Sequence, residues 1–206
     1  MKTVFWHGLG QRADDWKDTI RLSFCEDTDC PELFSLEGDN REEDNSTYTG
    51  LLDRLEKRYE DTAEPFRICG LSLGGILALD YAIRHTDKVA SLVLIGAQYK
   101  VPTLLIDFQN LLFRCMPGKA FEGTGLSKQD MIKLAHSMRS LDFSRRLSRI
   151  TCPAVVVCGE KDTANRKAAE RLREKLPQAK LHIIPGAGHE VNTCAPEAVA
   201  AILKMG

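Results

Sequence analysis

Short apolar runs alternate with longer segments of helical periodicity along most of this chain, and no other feature restricts its fold as much. Thr3–Trp6, Leu33–Leu36, Phe66–Cys69, Val89–Ile95, Ala154–Cys158 and Leu181–Ile184 read as strands. Several are runs of Val, Ile and Leu without polar alternation, the pattern of a strand covered on both faces. Between them, Ala13–Arg21, Thr47–Tyr59, Ser72–His85, Ala164–Leu176 and Pro196–Lys204 carry helical spacing. The last has Pro at its first turn and Gly206 beyond its end. A helix returning the chain after each strand starts the next strand in the same direction. The expected fold is therefore α/β, a mostly parallel sheet of about six strands with helices on both faces.

One stretch breaks the alternation. Residues 100–149 hold no strand pattern but several helical ones. In Leu104–Met116, apolar residues at 104, 108, 111, 112 and 115 share a face, and Leu105, Ile106, Phe113 and Met116 widen it beyond an ordinary core stripe. Ser127 followed by Asp130 reads as a helix start leading into Met131, Leu134, Ala135 and Met138. The expectation is one domain over residues 1–206 with a helical insertion at 100–149. The acidic stretch Glu37–Asn45 reads as a solvated loop.

A chain of 206 residues can bury a substantial core without disulfides or metal. Its seven cysteines are odd in number, scattered and free of any CxxC pair, so they read as structural thiols, Cys25 and Cys30 the least readily placed. The formal net charge is −1 with no dense basic run, which excludes the electrostatic footprint of a nucleic-acid binder. No apolar run approaches a membrane span, and the N-terminus enters a strand pattern without a signal core. No membrane association and a cytoplasmic location are expected.

The chemistry concentrates at the ends of the strands. Gly70-Leu71-Ser72-Leu73-Gly74 stands directly between a strand and a helix, where G-x-S-x-G forms a nucleophile elbow. Such a turn lifts Ser72 above the sheet and aims the Leu73 N–H at developing negative charge. His7-Gly8-Leu9-Gly10 closes the first strand, and its glycines let the Leu9 N–H join that of Leu73 as an oxyanion hole. His7 reads as the residue that ties down this loop rather than as a base. Gly159-Glu160-Lys161-Asp162 and Gly186-Ala187-Gly188-His189 each follow a strand, at the sheet edge where open α/β folds bind ligands. The chain order Ser72, Asp162, His189 is that of nucleophile, acid and base in this kind of site. Glu160 and Asp107 remain rival acids. No metal-ligand constellation or cofactor motif accompanies these residues, and none is expected to be needed.

With these motifs in place, the chain resembles the α/β-hydrolase superfamily over nearly its whole length. Residues 7–16, HGLGQRADDW, are similar to the oxyanion loop and following helix, and residues 70–75, GLSLGG, to the elbow. ITCPAVVVCGEKD, ending at Asp162, and PGAGH, residues 185–189, are similar to the acid and base loops. The resemblance implies a triad of Ser72, Asp162 and His189, oxyanion donors at Leu9 and Leu73, and a substrate-shaping cap at 100–149. Leu104, Phe108, Leu112 and Phe113 are expected to line its pocket. Two departures stand out: the chain starts too late for two strands the family usually has first, and Glu37-Gly38-Asp39-Asn40-Arg41-Glu42 replaces the common D-x-x-G-x-G loop. A trimmed sheet follows, with Leu33–Leu36 at its edge, blunted by Glu32 and Glu37, which favours a monomer.

Relatives that act on haloalkanes or epoxides carry aspartate at the elbow, whereas serine implies acyl transfer. The leading expectation is hydrolysis of a carboxylic ester with a small or medium apolar acyl group, a small-molecule acyl substrate and no cofactor. A thioesterase, a lactonase such as the enol-lactonases that share a GLSLGG-like elbow, and a carbon–carbon bond hydrolase use the same triad. A non-catalytic binding protein on the same fold is the competing class.

Overall fold

The computed structural model describes residues 1–36 and 46–205; the side chains of residues 104, 105, 108, 109 and 112 lie outside that description, as does the loop expected at Glu37–Asn45. Among the described residues, six strands form one wholly parallel sheet: β1 (Thr3–Trp6), β2 (Thr28–Asp29), β3 (Phe66–Leu71), β4 (Val89–Ile95), β5 (Ala154–Gly159) and β6 (Ala179–Ile184), in the spatial order β2-β1-β3-β4-β5-β6. Alternate residues of β1, β3, β4 and β5 feed two cores. Val4, Trp6, Ile68, Leu92, Leu94 and Val156 pack on the side of α2 (Tyr48–Arg58), α3 (Leu73–Arg84) and α6 (Thr163–Lys175). Phe5, Cys69, Leu71, Val93, Ile95 and Val157 face Trp16 and the helices α7 (Val191–Cys194) and α8 (Pro196–Lys204). Helix α1 (Lys17–Ser23) packs on α8 from that side. The interior strands thus have little solvent-facing side to make polar, which explains their mostly apolar composition, Arg67 of β3 and Ser91 of β4 being exceptions that bond each other. Helix α3 sits at the middle of the sheet and is buried from Leu73 through Ile83, as its apolar circumference requires.

The sheet edge differs from the sequence expectation. Leu33–Leu36 is not a strand: Leu33–Ser35 forms a 3₁₀ turn, and the edge strand is Thr28–Asp29. Leu33 and Phe34 are consecutive yet both belong to the core on the α2 and α3 side, whereas in a strand they would point to opposite faces. The Leu33 N–H donates to His7 Nε2 at 3.0 Å and the Ser35 N–H closes on Glu32 O at 3.0 Å, so the backbone has partners without a ladder. At the true edge, Asp29 accepts two hydrogen bonds from Arg58 and one from Tyr59, each at 3.0 Å. A two-residue strand ending in a fixed carboxylate is a poor template for further pairing.

Between β4 and β5 the chain forms α4 (Thr103–Cys115) and α5 (Lys128–Ser137), the latter capped by Ser127 Oγ, which accepts from the Asp130 N–H at 3.1 Å. The two ends of this segment meet. Val101 N–H donates to Leu141 O at 2.9 Å, Phe143 N–H to Tyr99 O at 2.8 Å, and Lys100 pairs with Asp142 at 2.9 Å. Among the described residues, no helix is long and apolar enough to cross a membrane, and no group of His, Cys, Asp and Glu side chains could hold a metal. Cys69 and Cys158 are buried, and burial pushes the Cys30 thiol up to about 12.

Candidate active site

β3 runs straight into the turn that presents Ser72. Its backbone stands at φ 53° and ψ −113°, a region L-residues avoid at a cost of about 1–3 kcal/mol. The surroundings hold it there: the Ser72 N–H donates to Ile95 O and its carbonyl accepts from the Ile76 N–H. A Cβ at Gly74 would sit 2.0 Å from the Trp6 carbonyl oxygen, and one at Gly70 2.4 Å from that of Gly74. The two flanking glycines are therefore what lets α3 start against β1 and β3.

Asp162 caps α6, accepting the Asn165 N–H at 3.3 Å, and its side chain is 5% exposed. Its Oδ2 lies 2.6 Å from His189 Nδ1. Burial disfavours the anion, but the hydrogen bonds from His189 and Asn165 outweigh it and hold the carboxyl below its ordinary range. An ionised carboxylate only accepts, so Nδ1 carries the proton and Nε2 is left free for chemistry. Neither rival acid reaches the imidazole. Glu160 accepts from the Gly186 N–H at 2.8 Å, and Asp107 is held by Arg139 at 2.9 Å on the surface.

Three residues that sequence reasoning did not single out complete this arrangement. Asn165 Nδ2 lies 2.9 Å from each Asp162 oxygen and 3.1 Å from His189 Nδ1. Gln98 Nε2 donates to Asn165 Oδ1 at 2.7 Å, which fixes the amide with its N–H groups toward the carboxylate. Gly96, at φ +56°, leaves room for the ring: a Cβ there would lie 2.8 Å from His189 Cε1. An asparagine three residues after an N-cap aspartate was a readable signal of local pairing; Gln98 and Gly96 carry none that sequence spacing reveals.

The loop bearing Leu9 is pinned from two directions. His7 is fully buried; its Nε2 accepts from Leu33, so Nδ1–H donates to Gly8 O at 3.0 Å. Burial lowers the pKa of the ring, so it stays neutral. Gln11 and the buried Asn192 exchange hydrogen bonds at 3.2 and 3.3 Å, and Gln11 Oε1 also accepts from the Gly8 N–H at 3.4 Å. This amide pair couples the Leu9 loop to the turn that follows His189.

Ser72, Asp162, His189, Leu9 and Leu73 all line one cavity of about 330 Å³. Its walls add Ile76, Val101, Ile106 and Met138, with Gln98 and Asn165 as further polar side chains. No hydrogen bond joins Ser72 Oγ to His189 in this structure. Of the α4 positions expected at the pocket, Leu104, Phe108 and Leu112 have side chains outside the description. Phe113 packs edge-on against Phe121 at 5.6 Å, and Ile106 is the described α4 residue at the cavity.

A family model described as the Alpha/beta hydrolase family matches residues 3–202. RutD of Cronobacter turicensis, which bears the name of a proposed carbamate hydrolase, is 24% identical over 205 aligned positions, covering 82% of this chain and 76% of that one. The enol-lactonase from Burkholderia xenovorans LB400 has a TM-score of 0.81 at 16% identity, over 99% of this chain and 88% of the other. The esterase EaEST from Exiguobacterium antarcticum has the same score and identity, over 98% and 90%. At these identities the two solved structures share the fold.

Proposed function

This chain belongs to the alpha/beta hydrolase family, and from that membership we propose that it is a serine hydrolase cleaving carboxylic esters of small or medium apolar acyl groups. The observation that carries the reading is Ser72 in its strained turn, sharing one cavity with the hydrogen-bonded Asp162–His189 pair. Ser72 Oγ attacks the ester carbonyl while His189 Nε2 takes its proton. The tetrahedral oxyanion sits between the N–H groups of Leu9 and Leu73, each worth about 3 kcal/mol in the transition state. His189 then protonates the departing alcohol, and the acyl-enzyme is hydrolysed when the same imidazole activates water. Asp162 holds the Nδ1–H tautomer throughout and stabilises the imidazolium. The Ser72–His189 hydrogen bond forms as substrate docks, since such contacts tighten in the complex. Ile76, Val101, Ile106 and Met138 supply the apolar acyl wall, and residues 100–149 serve as the cap of a single domain.

The test is labelling by a fluorophosphonate probe, together with turnover of esters, thioesters, lactones and a carbamate of graded size. Wild type labels at Ser72, Ser72→Ala does not, and short apolar esters turn over fastest. Folded wild type that neither labels nor turns over any substrate would make the chain a binding protein. A preference for another acyl class would keep the triad and replace the substrate.

A further inference from the structure

A second cavity, of about 290 Å³, opens at the opposite edge of the sheet, where the strands begin. Its floor follows from strand register. Arg67 pairs with Ser91, Val93 with Val155, Val155 with Lys180 and Val157 with His182. Paired residues and alternate residues share a face, so Arg67, Ser91, Val93, Val155, Lys180 and His182 all project from one side. The end of α8 forms the opposite wall through Ile202 and Met205.

Arg67 is 5% exposed. Its guanidinium is clamped by neutral acceptors, Nε donating to Ser91 Oγ at 3.1 Å and Nη1 to Leu203 O at 2.6 Å. Among the described residues, no carboxylate lies within ion-pair distance of it. The cavity wall adds Lys180, His182 and Gln178 but no Asp or Glu. The buried carboxylates of this chain are treated differently: Asp80 lies 3.3 Å from Arg84 and 3.6 Å from Arg146, and Asp162 holds His189. A buried charge without a counter-charge is strongly unfavourable unless something supplies one. Here the charge lines a cavity whose wall also carries Lys180 and the apolar side chains of Val93, Val155, Ile202 and Met205.

We propose that this cavity binds a small organic carboxylate, its anionic head on Arg67 and its hydrocarbon body on Val93, Val155, Ile202 and Met205. A guanidinium suits a carboxylate, because charge-assisted hydrogen bonds exceed neutral ones about twofold, and Lys180, three strands away on β6, adds positive charge at the exposed side of the cavity. The site lies across the sheet from Ser72, so it stands whether or not the catalytic reading holds.

Hexanoate is the probe, titrated into the full chain while the ring signals of His182 and His189 are followed by NMR. Saturable movement of the His182 signals is expected, weakened about twofold in Lys180→Gln, which acts through its charge at a distance, and about twentyfold or more in Arg67→Gln. Lys180 is exposed, so its variant keeps the test open if the buried Arg67 variant does not fold. Shifts confined to His189 would place the ligand in the other cavity and overturn the proposal. So would hexanol binding as tightly as hexanoate, phosphate competing on equal terms, or no saturation at tens of millimolar.

Discussion

Replacing Gly96 with alanine tests whether the position of the His189 ring limits catalysis. Two separable penalties follow from the structure. Gly96 stands at φ +56°, where an L-residue costs about 1–2 kcal/mol. Its new Cβ would also lie 2.8 Å from His189 Cε1 and 2.9 Å from Nδ1, where ordinary contact begins at 3.4 Å. The ring must therefore shift by roughly half an ångström, which disturbs the 2.6 Å contact between its Nδ1 and Asp162 Oδ2. A misplacement of about 1 Å can cost 10²-fold, so kcat should fall about 10- to 100-fold. Gly123→Ala is the control: its φ is +84° and nothing lies within 4 Å of the added Cβ, so it carries the backbone penalty alone. Urea unfolding should show Gly123→Ala destabilised by about 1–2 kcal/mol and Gly96→Ala by at least as much, while ester hydrolysis separates them. If their kcat values agree within about threefold, ring position does not control the reaction.

The remaining predictions concern the same loops. Asp162→Asn should lower kcat by about 10³- to 10⁴-fold by favouring the wrong tautomer, while Glu160→Gln and Asp107→Asn stay within about tenfold; steady-state kinetics on one ester decide it. Asn165→Leu removes two N–H bonds to a buried carboxylate and should lower kcat about tenfold with KM little changed; an unchanged kcat would make that amide a structural filler. His7 has its pKa lowered by burial, so the folded chain binds that proton less readily than the unfolded one. The stability tied to it is complete above the ordinary imidazole value of 6.5 and declines as pH falls through it. Melting temperatures between pH 7.5 and 5 should therefore drop more steeply in wild type than in His7→Gln, and parallel slopes would refute this.

The interior strands were legible because covering both faces leaves a strand few polar options, Arg67 and Ser91 being hydrogen-bonded to each other. Val89–Ile95 and Thr3–Trp6 match their expected bounds. The edge strand Thr28–Asp29 was not legible, since two polar residues become a strand only through the partners Thr3 and Val4. Leu33–Leu36 misled for the converse reason: its apolar residues are buried by a turn wrapped on His7, and composition does not distinguish the two. At the candidate site, Ser72, Asp162 and His189 were readable because each follows a strand, and strand ends converge. Asn165 left a local trace in its spacing from Asp162, whereas Gln98 and Gln11 bond through amides whose partners are distant in sequence, and Gly96 matters by lacking an atom.

The clasp at residues 99–101 and 141–143 has a consequence for how chains like this one can diversify. Because departure and return are stitched side by side by two backbone hydrogen bonds and the Lys100–Asp142 pair, the span between them behaves as a cassette. Closing so short a gap costs little chain entropy whatever length is spliced in. Recombination could exchange the intervening helices for others and leave the order of the six strands intact. A graft made at this seam should transplant selectivity between relatives more readily than scattered point substitutions.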